Sequence, residues 1–82
     1  MYRIISQDGK KDLPYDQIYV ILNDTKIECF SNFNSDLILL AEYSTNERAY
    51  AVMENLHKSY GDCLYGSDGK HYIRNYFRFP NE

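Results

Sequence analysis

Ala49, Val52, Met53, Leu56 and Tyr60 recur at i, i+3, i+4, i+7 and i+11, the spacing of one stripe on a 3.6-residue helix. A stripe of this kind is stable only when the same chain supplies a surface to bury it, so the apolar residues outside it define the partner layer. They alternate with period two, as strands do. The spacing therefore predicts one amphipathic helix seated on a pleated sheet.

Helix boundaries follow from local chemistry. Ser44-Thr45-Asn46-Glu47 reads as a capping box in which the Ser44 hydroxyl accepts from the Glu47 amide, which starts the helix near Thr45. His57 and Lys58 suit the negative end of the dipole, and Gly61 suits a left-handed stop, which ends the helix near Tyr60.

Strands surround it. Arg3 to Ser6 is short and closes through Gln7-Asp8-Gly9-Lys10, whose Asp-Gly pair is a turn signal. Leu13-Pro14-Tyr15 is too short and too interrupted for a central strand. Gln17 to Leu22 sets Ile18, Val20 and Leu22 on one fully apolar face, turns at Asn23-Asp24-Thr25, and pairs as a hairpin with Lys26 to Phe30. Ser31 to Asp36, rich in Asn and Ser, reads as a loop, and Leu37 to Tyr43 as the most deeply buried strand. Gly61 to Lys70 holds three glycines, two Asp and one Ser and reads as a surface loop. Tyr72 to Phe79 then alternates, with Ile73, Asn75, Phe77 and Phe79 facing one way and Tyr72, Arg74, Tyr76 and Arg78 the other. The expected fold is α+β, in the order β-β-β-β-α-β, a mostly antiparallel sheet with one helix on one face.

Size and composition restrict the function classes. With 82 residues, 44% of them hydrophobic, the chain has material for one folded domain spanning residues 1–82 and not for two. A core this small makes a homodimer a reasonable supplement to stability. A net charge of −3 argues against generic duplex DNA binding, which needs many phosphate-neutralising cations. Two cysteines, Cys29 and Cys63, are fewer than a secreted mini-protein of this length usually carries, so free thiols and a cytoplasmic location are expected. The run Leu37 to Ala41 is five residues, far below the ~20 that span a bilayer, so no membrane role is expected.

Candidate chemistry concentrates at the C-terminal strand. Tyr72, Arg74, Tyr76 and Arg78 interleave phenols with guanidinium groups on one face, and Lys70 and His71 extend the positive field. Arg forks grip phosphate or carboxylate, and Tyr rings stack on bases. The same alternation also makes cross-strand cation–π and ion pairs on an ordinary exposed strand. Tyrosine is abundant, nine residues, and it serves both strands and partner surfaces. On the helix flank, Tyr50, Glu54 and His57 form a rim beside the buried stripe. No metal site is expected, because Cys29, Cys63, His57 and His71 lack metal-ligand spacing. Cys63 with His57 or His71 is the sole nucleophile-base combination, and a surface loop gives a thiolate little shelter, so the chain is expected not to be an enzyme and to need no cofactor.

The stretches Arg3-Ile4-Ile5-Ser6-Gln7-Asp8-Gly9 with Leu13-Pro14-Tyr15, then Leu40-Ala41-Glu42-Tyr43-Ser44-Thr45, Met53-Glu54-Asn55-Leu56 and Phe77-Arg78-Phe79-Pro80 resemble a family of small proteins encoded by phages and prophages of Firmicutes. No catalytic residue comes with the resemblance. It implies a bacterial cytoplasm and an accessory, non-enzymatic role: binding a host protein, as an anti-defence protein would, or a small anionic ligand such as a nucleotide. The alternative is a small nucleic-acid-binding regulator that uses the C-terminal Tyr and Arg strand.

Overall fold

The computed structural model describes residues 2–31, 34–65 and 75–82. Its strands are β1 (Arg3–Ile5), β2 (Asp12–Pro14), β3 (Ile18–Asn23), β4 (Lys26–Ser31), β5 (Asn34–Glu42) and β6 (Tyr76–Arg78). A short 3-10 turn, Tyr15–Gln17, leads into β3, and one helix, α1 (Asn46–Tyr65), separates β5 from β6. The fold is α+β, as expected, with mostly antiparallel strands and a single helix among the described residues.

The first reversal is built by side chains of its own segment. Gly9 takes φ +75°, a left-handed conformation that glycine adopts at little cost. The Ser6 hydroxyl and the Lys10 amide both donate to Asp8 Oδ1, and the Lys11 amide donates to Ser6 Oγ. The Ser6 hydrogen bond, and after it the Lys10 amide, hold the Asp8 carboxyl at about 2 against its ordinary 3.8. This turn returns β2 antiparallel to β1, on the edge of the sheet, where Pro14 costs no interior ladder bond.

The second reversal has two residues, since Asn23 pairs with Lys26, and Asp24 takes φ +59° there. From it β3 and β4 run as the expected hairpin.

Several expectations need correction. The strands form two three-stranded sheets, β2-β1-β6 and β3-β4-β5, instead of one, and β1 pairs with β6 in parallel. The two sheets meet at a bulge in β5. The register passes from Ile27 opposite Ala41 to Glu28 opposite Leu39, which leaves Leu40 as an extra residue and turns its carbonyl out of the ladder. The Gln7 amide reaches that carbonyl at 2.8 Å, and the sheets meet there without a continuous ladder.

The segment expected as a loop at 31–36 is largely strand, because β4 runs to Ser31 and β5 starts at Asn34. Nor is β5 the most buried strand. It lies on a sheet edge, with Leu37 and Leu39 exposed and Leu40 and Ala41 buried, while central β4 buries Ile27 and Cys29 completely.

The helix begins one residue later than expected, with Thr45 Oγ1 accepting from the Arg48 amide at 3.2 Å, so Thr45 and not Ser44 is the cap. It also runs through Gly61 to Tyr65. Gly61 is helical here, and a methyl group at its Cα would meet nothing within 4 Å.

The stripe of α1 behaves as its spacing demands: Ala49, Val52, Met53 and Leu56 are buried in one cluster with Ile27 and Cys29 of one sheet, Ile4 of the other and Phe79 just after β6. Tyr60 packs at the margin, where its ring lies 5.3 Å from Tyr2 and 4.6 Å from Tyr15. The Tyr2 hydroxyl also hydrogen-bonds Ser59, which ties the first strand to the last turns of the helix. Fully burying each Leu, Ile, Val or Phe contributes about 1.5–3 kcal/mol, so this cluster is the main source of stability.

Candidate binding face

The helix covers one side of the β3-β4-β5 sheet, and the alternation of the strands sends every second side chain to the other side. Tyr19 and Ile21 from β3, Glu28 and Phe30 from β4, and Leu37 and Leu39 from β5 share that outer face. Tyr19 stacks on Phe30 across the strands at 5.1 Å, with 25° between the rings. Glu28 stands between Ile21 and Leu39 in the register, half-buried, and its Oε1 accepts from Asn23 Nδ2 at 3.1 Å. Tyr19 is 51% exposed, Leu37 52% and Leu39 44%.

These residues matter because of how their strands are written. Ile18-Tyr19-Val20-Ile21-Leu22 and Leu37-Ile38-Leu39-Leu40-Ala41 are unbroken apolar runs, the composition of strands covered on both faces. Only one cover is present among the described residues.

Among the described residues two depressions lie beside these elements. One, about 450 Å³, lies beside edge strand β3 and is lined by Leu22, Asp24, Asn46, Glu47 and Tyr50. The other, about 530 Å³, is lined by Glu42, Tyr43, Ser44, Arg48, Asn81 and Glu82. Arg48 donates to the Glu82 carbonyl and lies 6.0 Å from the Tyr43 ring centroid. Burial pushes the Tyr43 phenol up to about 12, and its hydroxyl donates to the Pro80 carbonyl at 2.7 Å.

Of the residues expected to form the site, Tyr76 and Arg78 are exposed on β6, with Phe77 half-buried and Phe79 buried on the other face. That is the orientation the alternation requires. Arg78 lies over the first turn, where Nη2 would stand 2.9 Å from a Cβ placed on Gly9. Lys70, His71, Tyr72 and Arg74 lie outside the described residues. So does His71 as a partner for Cys63, whose own side chain is also undescribed.

Cys29 is free and buried, and burial raises its thiol, which makes it a poor nucleophile. Tyr50, Glu54 and His57 are exposed on the helix flank, and the hydrogen bond with Glu54 raises the Tyr50 phenol. Among the described residues no three His, Cys, Asp or Glu side chains converge where they could hold a metal ion, and no helix is long and apolar enough to cross a membrane.

Among the described side chains the tyrosines divide in two. Tyr2, Tyr15, Tyr43 and Tyr60 join the helix, the first sheet and the C-terminal segment, whereas Tyr19, Tyr50 and Tyr76 are exposed.

Sequence reasoning placed the site on the last strand and passed over the outer face of β3-β4-β5. The signal was the pair of uninterrupted apolar runs, which count as strands equally well whether their second cover comes from within the chain or from outside it. No family model, no curated protein and no solved structure matches this chain.

Proposed function

We propose that this chain is a non-enzymatic binding protein that engages a partner protein stoichiometrically through the outer face of β3, β4 and β5. The observation that carries the reading is the mismatch between two strands composed for two covered faces and the single cover present among the described residues. Tyr19, Leu37 and Leu39 are each close to half exposed there, and the largest apolar patch on a monomer is often functional. The resemblance to small phage and prophage proteins supplies the context: an accessory protein of a mobile element acting in a bacterial cytoplasm to block a host complex. Blocking of this kind needs complementary surface and no bond chemistry.

The test is capture from host extract by the wild type and by a Tyr19→Ala, Leu39→Lys variant. Both positions are exposed, so the variant should fold. Truncating interface anchors costs about 2 kcal/mol or more each, so a protein held by this face should be lost from the variant at least ~30-fold. Equal capture by both chains would end the proposal.

A second reading rests on Arg78. Its guanidinium sits over the Gly9 turn beside Lys10, with Tyr76 on the same strand face, and among the described residues it joins no ion pair. A small anionic ligand, a nucleotide or a single strand of nucleic acid, suits that chemistry. Calorimetry with nucleotides and short oligonucleotides, on wild type and Arg78→Ala, tests it. Affinity that ignores both the substitution and the salt concentration would remove it.

A further inference from the structure

The outer face has one ionisable side chain at its middle, and that group decides what can cover it. Glu28 lies directly opposite Ile21 on one neighbouring strand and Leu39 on the other, and Tyr19 and Phe30 stack one rung away. Its carboxylate accepts from the Asn23 amide group, and at a half-buried position its remaining acceptor sites are open to water. An apolar partner closing over this face would strip that water and leave a carboxylate short of donors, a penalty of several kcal/mol in a dry interface. A partner that places a cation there turns the penalty into a short, charge-assisted pair.

The same geometry disfavours a second copy of this chain. A two-fold axis lying between two such faces and passing through their middle sets Glu28 against Glu28, and two like charges face each other without water. Among the described residues the cation on this face is Lys26, which stands two residues along at the rim, so pairing it with a second Glu28 slides the apolar rows out of overlap.

We infer that the outer face of the β3-β4-β5 sheet binds a protein segment whose apolar side chains surround a single lysine or arginine, and that this basic residue pairs with Glu28. Tyr19, Phe30, Ile21, Leu37 and Leu39 contribute the apolar contact, and Glu28 supplies the specificity. The inference rests on the protein-binding reading above and names its chemistry. A central carboxylate in an apolar ring rejects acidic and purely aliphatic surfaces, so the face discriminates by the cost of burying Glu28 unpaired.

Random peptides displayed on phage, selected on the immobilised full chain, test this directly. Selected peptides should carry a basic residue flanked by apolar ones, and should bind Glu28→Gln at least ~30-fold more weakly. The glutamine keeps an acceptor for Asn23 at a half-exposed position, so an unchanged melting temperature certifies the variant. Glu28→Lys should reverse the selection toward acidic peptides. Peptides that require Leu39, lost on Leu39→Lys, but ignore Glu28→Gln would overturn this inference and leave the binding reading intact. Peptides indifferent to both substitutions, or no enrichment at all, would count against both. A wild-type dimer in sedimentation that Leu39→Lys dissociates would show a second copy on the face, and would overturn the inference as well.

Discussion

Gln7→Ala should be among the most damaging substitutions at any polar residue of this protein. The Gln7 side chain lies where both sheets and the C-terminal segment meet: Nε2 donates to the carbonyls of Glu42, Pro80 and Asn81 at 3.2, 3.1 and 3.0 Å, and Oε1 accepts from the Glu42 amide at 3.0 Å. Two protons serve three carbonyls, so the working count is two donated bonds and one accepted. At about 0.5–1 kcal/mol each for bonds that are partly wet, alanine should cost about 2 kcal/mol. For a domain of this size that lowers the melting temperature by roughly 8–16 °C, a large part of a margin of only a few kcal/mol.

The backbone bond from the Gln7 amide to Leu40 survives the substitution, so the loss isolates the side chain. Gln7→Glu sharpens the test. It removes both donors and sets a carboxylate against three carbonyl oxygens, so it should be worse than alanine near neutral pH and should recover partly on acidification, when one donor returns. Urea unfolding of the three proteins at two pH values measures this. An alanine loss below about 0.5 kcal/mol, or a Gln7→Glu protein as stable as the wild type, would refute the reasoning.

Gly61→Ala should stabilise the protein by about 0.5–1 kcal/mol, because Gly61 is inside α1 with open space at its Cα. A destabilised variant in thermal unfolding would mean that the residue ends the helix in a left-handed conformation. The Asp8 carboxyl is depressed in the fold, so its contribution is complete above the ordinary 3.8 and is lost as pH falls through about 2. The stability difference between wild type and Asp8→Asn should therefore close as pH falls through that window. A difference that stays constant there in urea titrations would contradict the role given to Ser6 and Lys10.

The sequence was most legible where one local rule acted without competition. The stripe from Ala49 to Leu56 specified both a helix and its buried face. The Asp-Gly pair at Asp8-Gly9 and the Asn23-Asp24-Thr25 turn each placed a reversal, because a left-handed backbone position admits few residue types. Alternation set Tyr76 and Arg78 outward and Phe79 inward. Local chemistry also misled at two points. Ser44 and Thr45 are equally good caps by composition, and the choice of Thr45 followed from where the chain leaves β5. Gly61 can end a helix or continue one, and it continues here.

Other features depended on contacts between residues far apart in the chain. An apolar run states that a strand is covered but not by what, so Leu37 to Ala41 gave no sign that its strand would lie on a sheet edge with Leu37 and Leu39 exposed. The parallel pairing of β1 with β6 joins residues over seventy positions apart, and no periodicity encodes such a partner. Gln7 reads as an ordinary turn residue until folding brings three carbonyls around it. What the sequence determined by itself was the helix with its buried stripe and the β3-β4 hairpin with its turn, since those follow from spacing along a single segment. The tertiary structure alone decided that the strands split into two sheets, and that five apolar side chains surround Glu28 on a face that no helix among the described residues covers, because each depends on which distant segments arrive at the same place.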